Sequence, residues 1–597
     1  MTAILGLNYQ HADSSACLLI DGKLVAAVAE ERLGPRVKHC PGFPGLALRE
    51  VMRIGGLRFK DLTHVAIGRD PRSNYSAKVR YVLSNPFRAF GAVREHYRRR
   101  AASSTLVEQI AKALGEDPAS GRPLQVNVEH HLAHVASAYY CSPFEQLTAG
   151  FSFDGSGDFC SMMAARCEGT RIEVLDRVLL PDSLGFFYTA VCQLIGFAGF
   201  GEEYKVMGLN AYGEDRWAEL MKQVLILPEN GWFRLAPGYF GMHQGGQSDA
   251  VDDQQRIIMG RFYGEKFARA IGHVRGREEP IGQLQKDLAR SCQLRFEDAV
   301  MHCMKRLHSL VPTTRIAYAG GCALNGVANA RLLRESAFKE PYLQCAAADD
   351  GICLGAALWA WHNVAGGTER FHMTHAYWGP EHPPEAMKAA VQGCGTPWVE
   401  VPEEELVKVV ARLIRGGMVL GWYQGRSEWG PRALGNRSIL ADPTRPDIKD
   451  QINAKIKRRE MFRPFAPTVL TPRMSEYFEQ KVHSPFMMHV VKIRPEWQPK
   501  LPGVSHVDGT GRVQSIERQT NPRYYDLIEE FSRLSGVAVL LNTSFNENEP
   551  IVDTPQQAAD CFKRTGLDAL CLGRWITVKP EHAALLDQAT GRAVAKG

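Results

Sequence analysis

The feature that most restricts the fold of this chain is a local pattern that occurs twice. Near the N-terminus, residues 4–8, 15–20 and 23–29 read as three strands, the last two joined by an Asp21-Gly22 hairpin turn. The first turn carries the polar residues His11, Asp13 and Ser14. After Pro44, apolar Leu48, Val51, Met52 and Gly55 recur at the i, i+3, i+4, i+7 spacing of one helix face, so the unit is β-β-β-α. The same order returns with a strand at 151–153, the turn Asp154-Gly155-Ser156-Gly157-Asp158, a strand at 159–166 and a third at 171–180. Two such units predict an internally duplicated α/β domain.

Duplicated β-β-β-α units with Asp, Ser and Gly in their first turns resemble the actin-like ATPase fold, in which two such turns face each other across a nucleotide cleft. A Gly-, Pro- and Thr-rich stretch at 366–384 interrupts the pattern and is expected to separate two domains, 1–365 and 366–597. Beyond it, Leu406, Val409, Val410 and Leu413 mark an amphipathic helix, 418–422 a strand, and 537–541 a strand apolar enough to be buried, which predicts a second α/β domain. A length of 597 residues fits this division, since it exceeds the size at which one hydrophobic core keeps growing.

With 45% hydrophobic and 23% charged residues, the chain has ordinary globular usage, which argues against disorder, fibre or coiled coil. Its 71 Lys+Arg against 65 Asp+Glu leave only +6, and the one dense basic run, Arg98 to Arg100, has the length of a solvated helix face. No nucleic-acid partner is expected. The opening MTAILGLNYQ lacks a secretion pattern, and the apolar stretch 194–200 is too short to span a bilayer, so no membrane partner and a cytoplasmic location are expected. Fourteen cysteines without a C-x-x-C pair suggest neither a zinc ribbon nor a disulfide framework, and suit a reducing compartment.

In VEHHLAHVASA, His130 and His134 lie four apart, on one helix face and within reach of one metal ion, while His131 points elsewhere. Asp154 and the pair Asp349 and Asp350 could add carboxylates, and such a set with an open position suits Fe(II), Zn(II) or Mn(II). Three glycine-bearing segments could offer backbone NH groups to an anion: 154–158, Gly320-Gly321 with Asn325, and Gly351 with Gly355 ahead of a helix. Each is also explained by a turn or a helix cap, and none matches a P-loop or the dinucleotide fingerprint. The second domain contains QGRSEWGPRALGNRSILADP, KIKRREMFRPFAP, VDGTGRVQ and LLNTSFNENEPIV. Arg432, Lys457, Arg463 and Arg512, with the hydroxyl of Ser544, are suited to holding a phosphate and a carbonyl oxygen. Cations set among Trp429, Phe462 and Phe465 call for an anionic partner.

Together with DGSGD, GEEYKVMGLNAYG and AGGCALNGVAN, these segments resemble the O-carbamoyltransferase family that includes the nodulation protein NodU and antibiotic-tailoring enzymes acting on cephems, aminoglycosides and ansamycins. The likeness runs through nearly the whole chain. It implies an N-terminal Kae-like (TsaD-like) domain of the actin-like type and a C-terminal YrdC-like domain. By motif, His130, His134, Asp154 and Asp349 would ligate Fe(II) or another divalent transition metal. Relatives commonly show one Asp two residues before the Gly; here Asp349-Asp350-Gly351 offers two, so spacing favours Asp349 and leaves Asp350 open. Gly155, Ser156, Gly157, Gly320, Gly321 and Asn325 would serve ATP with Mg2+, and Arg432, Lys457, Arg463, Arg512 and Ser544 would bind carbamoyl phosphate. Asn210 stands where family members have Ala.

The implied chemistry joins carbamate to the α-phosphate of ATP, releasing pyrophosphate. The carbamoyl-adenylate then gives its carbamoyl group to a hydroxyl of a small natural-product or sugar-like acceptor. Asp13 and Lys38, expected to face the cleft, join His130 and Asp154 as candidate catalytic residues. A threonylcarbamoyl transferase acting on tRNA would need an RNA-binding surface that the charge balance does not advertise. A hydrogenase-maturation carbamoyltransferase would need Cys-rich zinc modules. A non-catalytic, ATP-gated binding module of the same fold would leave the cations of the second domain unexplained. Assembly into a homo-oligomer stays open.

Overall fold

In a computed structural model, residues 1–9, 12–34, 36–84, 105–241, 250–252 and 256–591 are described; His11 and the Arg98 to Arg100 run lie outside the described residues. The chain separates into two compact units, Met1–Met373 and one that begins at Thr374.

In the first unit, β1 (Ala3–Asn8) is buried along its whole length, which explains why it reads as continuously apolar rather than alternating. It pairs antiparallel with β2 (Ser15–Ile20), which pairs antiparallel with β3 (Lys23–Ala29). On its other side β1 pairs parallel with β4 (His64–Ile67), and β4 pairs parallel with β5 (Leu124–Asn127). Helix α1 (Gly45–Gly55) buries Ala47, Leu48, Val51 and Met52 in the core that covers one face of this sheet.

The second sheet repeats the first. Here β6 (Thr148–Gly157) pairs antiparallel with β7 (Cys160–Glu168), which pairs antiparallel with β8 (Arg171–Leu179). In turn β6 pairs parallel with β9 (Arg315–Ala319), and β9 with β10 (Glu340–Tyr342). Among the described residues the two orders, β3-β2-β1-β4-β5 and β8-β7-β6-β9-β10, are the same in sequence and strand direction. This duplication is the topology of the actin-like ATPase fold.

Two details differ from the sequence reading. The expected turn at 154–158 is mostly strand: β6 runs on to Gly157, its register to β7 slips between Phe153 and Gly157, and the chain reverses at Asp158 and Phe159, with φ of 50° and 69°. Gly351 and Gly355 do not form a cradle ahead of a helix. Gly355 lies inside α3 (Ile352–Asn363), which packs against α2 (His130–Cys141), and a Cβ there would stand 1.8 Å from the Ala133 carbonyl oxygen. A Cβ on Gly351 would meet the Ala346 carbonyl oxygen at 1.9 Å. Both glycines permit close backbone packing.

The second unit is also α/β, with a mixed sheet of nine strands among the described residues. Strand Arg437–Ala441 lies between Leu420–Tyr423 and Val539–Ser544, antiparallel to both. Strand Ala466–Leu470 pairs antiparallel with Val539–Ser544 and parallel with Thr510–Ile516. The helix expected from Leu406, Val409, Val410 and Leu413 spans Glu403–Arg415 and buries all four. Glu403, Glu404 and Glu405 in its first turn and Arg412 and Arg415 in its last complement the helix dipole. Among the described residues no helix is long and apolar enough to cross a membrane.

Candidate functional site

One turn of α2 separates His130 and His134, both fully buried, and places them against Asp154 at the end of β6 and Asp349. His134 Nε2 lies 3.2 Å from Asp154 Oδ2 and 3.4 Å from Asp349 Oδ1, while His130 Nε2 is 3.7 Å from the same Asp349 oxygen. One ligand atom from each of the four residues falls within 4.8 Å of the others. Neither ring nitrogen of His134 has a hydrogen bond of acceptable geometry, although both are buried. Donor atoms that converge from two imidazoles and two carboxylates fit a divalent transition metal. Among the described residues no other group of His, Cys, Asp or Glu converges in this way.

The glycines predicted to serve ATP border this cluster. Asp154 Oδ1 accepts from the Gly155 amide at 2.6 Å and Oδ2 from the Gly321 amide at 2.8 Å. A Cβ on Gly157 would fall 2.0 Å from His130 Cγ, so this glycine makes room for the imidazole. Gly320, with φ of 103°, lets the chain pass the Phe153 carbonyl, which a Cβ would approach to 2.1 Å. Ser156 is half-buried on the same strand. Asn325 caps a helix, accepting from Ala328 N at 3.1 Å, and its Nδ2 donates to Gln293 Oε1 at 3.0 Å. Asn210 Oδ1 accepts from Arg290 at 3.1 Å.

The charges of the cluster conflict with one another. Burial pushes the Asp154 carboxyl up, but His134 and the Gly321 and Gly155 amides bring it down to about 2. Burial and the charge of Asp154 push Asp349 up to about 7. Burial pushes His134 down, yet the two carboxylates more than offset it and raise it to about 9. Such a site favours extra positive charge, which a cation supplies. Asp350 is outside the cluster. Its Oδ1 is buried without a partner, and burial, then Asp13 and Glu31, push its carboxyl well above the usual range. His131, as expected, turns elsewhere: its ring nitrogens lie 2.9 Å from Ser152 Oγ and 3.1 Å from the Cys160 carbonyl, and burial lowers it to about 3.

Asp13 faces His39, a residue the sequence reading missed, with Asp13 Oδ1 2.7 Å from His39 Nδ1. Lys38, the neighbour that reading chose, is exposed. The adjacent imidazole in the RVKHC segment was the available signal.

In the second unit, Lys457 is fully buried at the end of a π-helical turn, Ile452–Lys457. Its ammonium lies 2.5 Å from the Ser544 carbonyl, 2.8 Å from the Asn546 carbonyl and 2.6 Å from Asn546 Oδ1. Lys457 therefore holds the NTSFN loop, and Ser544 Oγ donates to Asn546 Oδ1 at 2.8 Å. Arg432, Arg463 and Arg512 do come together, with Arg459 added: the Arg512 guanidinium is pushed well down by burial and then by the charges of Arg432, Arg459 and Arg463. Glu428 Oε1 shapes the loop that carries Arg432 by accepting from the amides of Leu434 (2.8 Å), Asn436 (2.8 Å) and Arg437 (3.1 Å). Like charges brought this near one another favour an anionic partner.

Fold and sites define a two-unit α/β protein whose first unit is of the actin-like type and carries a candidate metal centre, and whose second unit carries a group of arginines. The chain belongs to the carbamoyltransferase family: the family's N-terminal domain matches residues 3–358, and its C-terminal domain matches residues 411–579. An uncharacterized protein of Synechocystis is 34% identical over 97% of this chain and 97% of its own length. Nodulation protein NolNO of Sinorhizobium fredii is 35% identical over 95% of this chain and 79% of its own. Nodulation protein NolO of Bradyrhizobium diazoefficiens is 38% identical over 77% and 80%. Among solved structures, full-length HypF in a phosphate- and nucleotide-bound form is 15% identical, covers 60% of this chain and 46% of its own, and has a TM-score of 0.30, too low to carry an argument.

Proposed function

We propose that this transferase takes carbamoyl phosphate and ATP, forms carbamoyl-adenylate, and places the carbamoyl group on a hydroxyl of a small natural-product or sugar-like acceptor. The observation that carries this reading is the convergence of Arg432, Arg459, Arg463 and Arg512 in the second unit of a carbamoyltransferase-family chain. Guanidinium groups bind phosphoryl oxygens bidentately and stabilise the phosphate that leaves when water cleaves carbamoyl phosphate to carbamate. Lys457 keeps Ser544 and Asn546 in place beside that reaction. The carbamate oxygen then attacks the α-phosphorus of ATP, and the bond to pyrophosphate breaks.

In the first unit, His130, His134, Asp154 and Asp349 would hold a divalent metal, Fe(II) by family likeness. When bound, such an ion supplies Lewis-acid polarisation. The amides of Gly155 and Gly321 orient Asp154, and Gly157 seats the His130 ring. Asp13 orients the His39 imidazole through Nδ1, so that Nε2 would hold or move a proton beside the acceptor. A cytoplasmic setting and small-molecule partners alone belong to this reading.

The test is to follow carbamoyl-phosphate-dependent ATP–pyrophosphate exchange, and then to add hydroxylated metabolites and look by mass spectrometry for the gain of one carbamoyl group. Absence of exchange in metal-loaded protein overturns the proposal.

A further inference from the structure

The segment DGSGD ends in a second carboxylate, Asp158, to which the proposed function gives no role. Asp158 lies at the reversal between β6 and β7 with φ of 50°, a left-handed conformation that Asp and Asn tolerate better than most side chains. Its Oδ2 accepts from two main-chain amides, His130 N at 3.0 Å and Asp70 N at 2.8 Å. The first amide belongs to a candidate metal ligand at the first position of α2. Glu129, which precedes α2, makes no side-chain cap to the helix amides. Its carboxylate accepts instead from Arg177, at 2.9 Å from Nε and 2.8 Å from a terminal nitrogen. Asp158 therefore supplies, from another element, an acceptor that the first turn of a helix requires.

The same carboxylate reaches the chain that leaves the first sheet. Asp70 follows the end of β4 by three residues. Asn74, also left-handed with φ of 56°, donates from Nδ2 to the Asp158 carbonyl and to Glu129 Oε1, both at 3.0 Å. Segment 70–74, the β6–β7 reversal and the start of α2 are thus tied at one point. Gly157 and Asp158 then act on one residue from one hairpin. The glycine leaves room for the His130 ring, since a Cβ there would fall 2.0 Å from Cγ, and the carboxylate holds the His130 amide.

We infer that Asp158 is a positioning residue for the metal centre: by holding the His130 amide through Oδ2, it sets the first turn of α2 and so where both imidazoles meet Asp154 and Asp349. This rests on the reading of those four residues as metal ligands, and it adds a residue outside the set. The alternative is a cap that contributes stability alone. Thr105 is a cap of that kind: its Oγ1 accepts from Glu108 N at 3.3 Å on the helix Leu106–Leu114, which carries none of the four ligands.

The full-length protein should be titrated with Co(II), following both the affinity and the visible absorption bands of the bound ion, which report ligand geometry. Asp158→Gly removes the carboxylate and adopts the left-handed backbone freely. Asp158→Asn removes the charge but keeps an oxygen that can accept from both amides. The Gly variant should bind Co(II) about ten- to a hundred-fold more weakly, the range for loss of a partner that orients a ligand, and should shift the bands. The Asn variant should regain most of the affinity and the wild-type bands. Thr105→Ala should lower the melting temperature and leave affinity and bands unchanged. If Asp158→Gly does not fold, Asp158→Ser is read in the same way, since its oxygen sits one bond closer to the backbone. Wild-type affinity and bands in the Gly variant, or an Asn variant as impaired as the Gly variant, overturn the inference alone. Failure of the wild-type protein to bind Co(II) overturns the reading of the four residues as a metal site, and this inference with it.

Discussion

His39 Nδ1 lies 2.7 Å from Asp13 Oδ1, and both residues hold left-handed backbone conformations, with φ of 60° and 59°. Non-glycine residues rarely adopt that region, and they persist in it where surrounding contacts over-determine the loop. Here Asn8 Nδ2 donates to the Asp13 carbonyl at 3.1 Å, and Ser14 N donates to the Cys40 carbonyl at 3.0 Å, tying the two loops together.

The pair has a pH signature. Burial pushes His39 down, but the Asp13 carboxylate and Glu31 overcome it and raise the imidazole from its ordinary 6.5 to about 9. A group raised on folding adds stability that is fully present below its unfolded value and is lost as pH rises through the folded one. The His39 contribution should therefore fade between 6.5 and about 9. Asp13→Asn should move the His39 midpoint, followed by NMR, below its ordinary value and remove that slope from the stability profile. An unchanged midpoint would show that Asp13 does not set it.

For the metal cluster, His134→Ala removes one of four donors and should abolish stoichiometric metal in protein purified with Fe(II), measured by elemental analysis, together with carbamoyl transfer. Far-UV circular dichroism should be unchanged, because the side chain lies in a local site. Full transfer activity by metal-free protein would refute a role for the cluster.

Glycines near the cluster give a separate test of how the fold sets the site. Gly355→Ala puts a methyl 1.8 Å from the Ala133 carbonyl oxygen, on the helix that carries both histidines. Overpacking of this kind costs about 1–3 kcal/mol. The variant should melt earlier and bind metal more weakly, because α2 must shift. Gly157→Ala, directed at the His130 ring, should weaken metal more than it lowers the melting temperature. Normal metal affinity in both variants would mean that the packing does not position the histidines.

Much of this arrangement was legible from sequence because it is local. The strands at 4–8 and 15–20 and the helix face of Leu48, Val51 and Met52 follow from short-range periodicity, and His130 and His134 share a face at a spacing of four. What escaped depends on contacts distant in sequence. Nothing within DGSGD reveals that Gly157 faces His130 or that Gly321, 167 positions after Asp154, donates to its carboxylate. Spacing favours Asp349, but that Asp350 stays out of the cluster is visible only in the turn preceding α3. The charge of Lys457 marks it as a ligand, and what its sequence position does not show is that the fold also brings its ammonium four protein oxygens, from Ser544 and Asn546.

That last point sharpens a separation of the two half-reactions. Lys457→Ala leaves the Ser544 carbonyl and Asn546 Oδ1 without their buried donor, a loss of about 1.5–3 kcal/mol for a charge-assisted contact. The loop should loosen, and carbamoyl-phosphate-dependent ATP–pyrophosphate exchange should fall about ten- to a hundred-fold. The metal ligands belong to the other unit and keep all their contacts. Supplied with preformed carbamoyl-adenylate, Lys457→Ala should still carbamoylate the acceptor, whereas His130→Ala should fail even then. Lys457→Arg should not restore exchange, because a planar fork does not fit acceptors arranged around a compact ammonium. Equal rescue of the Lys457→Ala and His130→Ala variants by the adenylate, or rescue of neither, would mean that one set of residues serves both steps.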